Sequence, residues 1–362
     1  MARLASIMAH WHGRPAKGIV QMQYSRKSES VRARALRRAL GALLICSALV
    51  CVAAPAARAG SGALWIADSI NDRVDEYLPS QIKRSGTPTP LTVSIGTRVY
   101  GACFDKSKNL WVTDLDQKIL EFTASALKKL PTAPSPVVTI SSSSFSDIVG
   151  CTFDKHGNFW LADQENNSLD EISAAQLKTS STTITPAVII TDTTDMSPSA
   201  SPSTATFDKS GNLWTDDRSD NKLLEFRASQ LTSTGDKTAT VVLEGGGSLN
   251  EPGKIGFDGK GNLWVTNEGD NTVVRFSKSQ LGSSNNDAAV VTISSSSFNA
   301  SWSLGFNSGD LWVMNFGDGN AQEFSSAQLK SSGTPTPEVI LTDVAAEYAW
   351  SITFGPAFGK LP

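Results

Sequence analysis

Apolar residues in this chain come in short alternating runs, each bounded by Gly, Asn, Asp or Ser. Alternation of this kind predicts strands, because successive side chains on a strand point to opposite faces, and the flanking residues supply the turns. Phe257–Leu281, FDGKGNLWVTNEGDNTVVRFSKSQL, shows the order most completely. It reads as a strand end, a Gly-Asn turn and the strand LWVTN. The turn EGDN, the strand TVVRF and one helical turn, SKSQL, follow. Variants of this unit occur six times, and such a period decides the fold before any single element does.

Tryptophans mark the period. Trp65, Trp111, Trp160, Trp214, Trp264 and Trp312 lie 46, 49, 54, 50 and 48 residues apart, in ALWIAD, NLWVTD, NFWLAD, NLWTDD, NLWVTN and DLWVMN. Repeats of this length with four strands each are the signature of propeller blades. We label the strands a to d, innermost first. Strand a ends in Phe (VYGACFD, VGCTFD, TATFD, KIGFD, LGFN, SITFG), b carries the tryptophan, c is of the ILEFT type and d of the PVVTI type. The a–b connections (DKSGN, DKHGN, DGKGN) hold the Gly and Asn that a tight hairpin needs. The c–d connections centre on PSQI, ASAL, AAQL, ASQL, KSQL or SAQL, which predicts a helical turn.

Two residues before the strand-a Phe stand Ala102, Cys151, Ala205, Ile255, Leu304 and Ile352, while the other face offers Gly101 and Cys103, Gly150 and Thr152, or Ser303 and Gly305. One slim face lets inner strands crowd together near an axis. The first unit begins at strand b, and the chain closes with a lone strand a, AWSITFG. The last strand is therefore expected to complete the first blade and remove two open edges. The expected fold is all-β: a closed six-bladed β-propeller of four-stranded blades, in one domain over residues 60–362.

Residues 1–59 read as a leader. A basic stretch, 26–40, precedes the apolar run GALLICSALVCVAAPAA, and Ala57-Arg58-Ala59 offers small residues for cleavage. This is the pattern of a secretory signal peptide with its apolar part at about 41–57, and it predicts a secreted or periplasmic protein cut near Ala59. Met22 is an alternative start. Ten of the 32 Lys and Arg but one of the 35 Asp and Glu fall in residues 1–59, which leaves a net charge of about −12 afterwards. That charge argues against a nucleic-acid or anionic-membrane partner. No membrane span and a monomer are expected. Cys103 and Cys151 remain, on adjacent inner strands; a bond across the blades and two buried thiols are both open.

Phe-Asp-x-x-Gly-Asn-Leu-Trp-Val-Thr-Asp/Asn, then Asn-x-Val/Leu and an aromatic, resembles NHL-type repeats over residues 62–356. It is also similar to the wider group that holds streptogramin B lyase and the gluconolactonase/regucalcin enzymes. The resemblance implies a six-bladed propeller with its active or binding site at the mouth surrounded by the b–c and d–a loops. In the enzymes it implies a divalent metal on Glu, Asn and Asp side chains, or a histidine base beside a metal.

Asp68, Asp114, Asp163, Asp217, Asn267 and Asn315 each stand three residues after a blade tryptophan. A ring of acids at a mouth suits a divalent cation such as calcium, so the four aspartates are metal candidates; the competing and favoured role is to start the b–c turn. Four residues before the strand-a Phe stand Tyr100, Val149, Ser203, Gly253, Trp302 and Trp350, none of them a metal-binding carboxylate or amide. Asp147, Glu251, Asn299 and Glu347 lie slightly earlier. His156, the histidine that follows the leader, sits in an a–b turn at the far end of the blade. Twin SSSSF runs, Ser141–Phe145 and Ser294–Phe298, belong to opposing d–a loops. With Tyr100, Trp302, Tyr348 and Trp350 they set aromatics beside a polar rim, which suits a sugar ring or another flat ligand; the competing and favoured role for Trp302 and Trp350 is to fill space between blades. The expected ligand-binding set is Tyr100, Phe145, Asp147, Glu251, Phe298, Asn299, Trp302, Glu347 and Tyr348. The expectation is a non-catalytic propeller without a cofactor, binding a glycan, small molecule or protein at its mouth. A metal-dependent hydrolase or lyase is the alternative.

Overall fold

A computed structural model describes residues 62–342, 344 and 349–359. The leader with its cleavage point, and Glu347 and Tyr348 of the expected site, lie outside these residues. Six antiparallel sheets follow the order a-b-c-d, and the inner strands of successive blades touch one another. Blade 1 takes its strand a from the C-terminus: Ala349–Gly355 pairs with Ala63–Asp68, with Trp65 opposite Thr353. The ring is closed as the repeat pattern requires.

The Asp and Asn of the a–b turn build the corner in blades 2 to 5. In blade 3, Asn158 donates its backbone N–H and its side-chain amide to Asp154 at 2.9 Å each, and its Oδ1 accepts the Ala174 N–H at 2.9 Å. Gly157 closes the turn at φ 88°, a left-handed value that glycine adopts without a Cβ clash. Tryptophans of strand b are buried against the strand-a phenylalanine of the next blade, as in Trp160–Phe207 and Trp264–Phe306.

Strand a carries a bulge near the mouth in five blades. The extra residue is Trp350, Tyr100 or Trp302 in blades 1, 2 and 6, and the ladder slips at Gly150–Cys151 in blade 3 and Gly253–Lys254 in blade 5. Bulges re-aim side chains; these turn the register toward the axis. Blade 4 differs. The run TATFD predicts a longer inner strand, but only Thr206–Phe207 pairs. The carboxylate of Asp216 accepts the N–H groups of Ser203 and Thr204 at 2.9 and 3.0 Å, in place of a strand partner.

Cys103 and Cys151 form a disulfide, Cα to Cα 5.9 Å, between the inner strands of blades 2 and 3. Near the axis those strands come much closer than the ~10 Å of ordinary stacked sheets. Gly101 makes this possible: a Cβ there would lie 2.9 Å from the Gly150 carbonyl carbon.

Candidate functional site

At the mouth, the bulged strands bring three aromatic residues together with a fourth from a b–c loop. Trp350 packs edge-on against Tyr100 and Trp302, with centroids 5.0 and 5.2 Å away, and Phe316 stands 5.5 Å from Trp350. Tyr100 and Trp302 are 4% and 0% exposed, so Trp302 belongs to this aromatic floor and offers no free face, whereas Trp350 is 9% exposed. Phe145 and Phe298 are also turned inward. Phe145 packs among Trp111, Ile140 and Ile148, and Phe298 lies 5.4 Å from Phe324. Each SSSSF run thus seats its phenylalanine between blades, with Ser143, Ser144 and Ser296 exposed and Ser142 buried.

The other half of the mouth is polar. Arg218 bridges Glu251 and Glu268 at 2.9 and 2.5 Å, and its guanidinium stands 5.2 Å from the Trp302 ring centre. Beneath it Lys254 is buried, donates to the Ser203 carbonyl and lies 6.0 Å from the same ring. Asp216 is fully buried close by, bonded to Ser203 Oγ as well as to the two N–H groups already described. Burial pushes the Asp216 carboxyl up and the Lys254 ammonium down, and their mutual attraction opposes both shifts. Neither residue was among the expected site residues. The signal was in the repeats: Asp216 stands where other blades have Ala67, Thr113, Ala162, Thr266 and Met314, and Lys254 where they have Gly101, Gly150, Thr204, Ser303 and Ser351.

Asp147 and Glu251 occupy the same place in blades 3 and 5, two residues before the axial register, with left-handed φ of 66° and 48°. Glu251 is exposed and pairs with Arg218. Asp147 differs, since no hydrogen bond to its carboxylate forms among the described residues. Burial, with Glu165 nearby, raises its pKa to about 6. Burial first, and the charge of Asp147 after it, push the Tyr100 phenol up to about 12. Asn299 is exposed on the rim, its carbonyl accepting the Gly317 N–H at 3.1 Å.

The four metal candidates stand one to a blade, each engaged in its own corner. Asp68 accepts from Asn71 and pairs with Arg73; Asp114 accepts the Lys118 N–H; Asp163 accepts from Ser146 and Asn166; Asp217 accepts from Ser197 and Asp220. Among the described residues no three His, Cys, Asp or Glu side chains are grouped to hold a metal ion. His156 is exposed in the a–b turn, on the face away from the mouth.

No protein family and no curated protein matches the chain in sequence. Solved structures do match in shape. Virginiamycin B lyase from Staphylococcus aureus is 15% identical with a TM-score of 0.50, over 74% of this chain and 82% of that one. A protein of unknown function from Bacteroides caccae is 11% identical at TM-score 0.53, over 82% and 100%. A chain of the nidogen/laminin complex is 13% identical at TM-score 0.58, over 83% and 100%. Identities this low speak for the fold alone. The chain is a closed six-bladed β-propeller, similar in fold to virginiamycin B lyase and to a chain of the nidogen/laminin complex.

Proposed function

We propose that this chain is an exported binding propeller that holds a ligand at its mouth without turning it over. The observation that carries the reading is Asp147: a half-buried carboxylate to which no described residue donates, near enough to the Tyr100 phenol for its charge to act there, with the Tyr100 ring in turn packed on Trp350. An unpaired acid in such a place costs stability unless something donates to it. A ligand rich in hydroxyl or amide donors, such as a glycan or a polar small molecule, supplies those donors, and the aromatic edge suits a flat ring. A protein partner would use a polar side chain there. The leader pattern and the Cys103–Cys151 bond support an oxidising compartment.

The test is a glycan array probed with the purified full chain, followed by titration of the best ligand against Asp147→Asn and Tyr100→Phe. The expected result is binding that strengthens as pH rises through about 6, where Asp147 ionises, and that Asp147→Asn weakens by roughly tenfold or more. The stability effect has the opposite sign. A carboxyl whose pKa is raised by folding holds its proton more tightly in the folded state, so its contribution is most favourable at low pH and is lost as pH rises through about 6. Asp147→Asn should therefore raise the melting temperature at pH 7 and leave it unchanged at pH 4. Binding that ignores both substitutions would remove the mouth from consideration.

A metal-dependent hydrolase or lyase is the second reading, favoured by the closeness of the Asp147 and Glu165 carboxylates. Thermal melts with EDTA, then with calcium, magnesium, manganese or zinc, separate the two, because a ligand of the folded state raises the melting temperature. A saturable shift with one metal, abolished by Asp147→Asn, would favour the second reading.

A further inference from the structure

On the face away from the mouth, neighbouring blades form a groove between the strand-b tryptophan and its strand-c partner on one blade and the strand-a phenylalanine of the next. Between blades 1 and 2 these residues are Trp65, Glu76 and Phe104. The chain's own segment Pro356–Gly359 lies there. The Trp65 indole N–H donates to the Pro356 carbonyl at 3.1 Å. The Phe358 ring stands 6.1 Å from Trp65 and 6.4 Å from Phe104. The Glu76 carboxylate accepts the N–H groups of Phe358 and Gly359 at 2.6 and 3.2 Å. One carbonyl, one aromatic ring and two consecutive N–H groups are thus read by three side chains.

Blades 3 and 4 repeat the three readers as Trp160, Glu171 and Phe207, with Trp160 opposite Glu171 and edge-on to Phe207 at 6.1 Å. They line a groove of about 460 Å³, with His156, Lys209 and Leu231 on its walls. The Trp160 indole N–H is buried, the residue being 1% exposed, and finds no acceptor among the described residues. Among the described residues no donor reaches the Glu171 carboxylate, whose pKa burial raises. The groove between blades 2 and 3 is different: the Trp111 N–H goes to Asp105 at 3.2 Å, and Glu121 accepts from Asn109 at 2.7 Å. Its readers are satisfied internally, whereas those between blades 3 and 4 have an unmet donor and an unmet acceptor in the arrangement that holds a peptide elsewhere in the molecule.

We propose that the groove between blades 3 and 4 is a second binding site, which takes an extended segment of a partner protein carrying an aromatic residue followed by glycine, docked as Phe358–Gly359 docks between blades 1 and 2. The Trp160 N–H takes a carbonyl before the aromatic residue, the ring enters between Trp160 and Phe207, and Glu171 takes the two N–H groups. The chain's own tail is an uneconomical occupant, since a second copy would have to release it from its own groove.

The probe is the amidated peptide GPAFGK, the sequence of residues 355–360, titrated into the full chain by calorimetry, with hydrogen exchange to locate it. Saturable binding is expected, with protection at residues 156–160 and 207–211. Trp160→Phe keeps the ring and removes a donor that the free protein leaves unmet. It should hold the melting temperature and weaken the peptide about fivefold, as should Glu171→Gln. Glu121→Gln should leave binding intact. Three results would overturn the proposal: no saturation up to about 1 mM, affinity indifferent to both groove variants, or protection confined to Trp65 and Phe104, which would mean that the peptide only displaces the tail. A dimer in sedimentation that Phe358→Ala dissolves would assign the groove to a second copy and overturn the assignment to another protein.

Discussion

Asp216 and Lys254 are the residues whose chemistry least resembles their counterparts in the other blades, and both are buried near the axis. Two opposite charges there are held by each other and by Ser203, so the pair is tolerated as a unit. Removing one partner leaves a buried charge without compensation. Lys254→Met is expected to cost about 3–5 kcal/mol in urea unfolding. The double variant Asp216→Asn/Lys254→Met should cost less than the sum of its parts, as coupled neighbours do. Additive losses would show that the two residues do not act as a pair. The repeats made both residues visible as departures from their registers. Their pairing was not legible, because the two lie in different blades and their contact depends on how closely the inner strands converge.

Between strands c and d a glutamine clamps the connection in five blades. Gln176 accepts the Ser173 N–H at 2.9 Å and donates to the Thr185 carbonyl at 2.8 Å; Gln81, Gln230, Gln280 and Gln328 make the same two bonds. Each clamped loop then pairs in parallel with the outer strand of the preceding blade, at Gly86, Ser181, Gly235, Asn285 and Gly333. Blade 2, with ASAL and no glutamine, folds Ala124–Leu127 as a helical turn capped by Thr123, and among the described residues it makes no such bridge. Gln176→Ala is expected to lower stability by about 1–2 kcal/mol and to speed hydrogen exchange at Ser181, whose N–H bonds to Thr139. Unchanged exchange at Ser181 would separate the clamp from the bridge. The SQI, SQL and AQL runs announced a turn; the stapling of one blade to the next needed both partners in view.

For the whole molecule, closure rests on two devices at different points of the ring. Strand Ala349–Gly355 joins the chain ends, and the Cys103–Cys151 bond ties blades 2 and 3. A bond closing a loop of 48 residues stabilises by about 2–4 kcal/mol. Reductant should lower the melting temperature of the parent to that of Cys151→Ser, and leave the variant unmoved. No helix among the described residues is long and apolar enough to cross a membrane. The two faces of the ring differ in character: the mouth joins an aromatic floor to charged groups, while the far face offers grooves between blades.

Blade count, strand order and closure were legible in the residues alone, because they follow from a period of tryptophans and alternating strands repeated along the chain, with one strand b and one strand a left unmatched. The sequence also named Asp147 and Glu251 as mouth residues, since their offset from strand a is a matter of counting. Contacts between blades were needed to see that the mouth aromatics form a floor, that Cys103 and Cys151 meet, and that Phe358 fills a groove made by Trp65, Glu76 and Phe104, far earlier in the chain. Those outcomes depend on bulges that re-aim side chains and on how closely inner strands pack. Both are set by contacts between blades, which no single repeat contains.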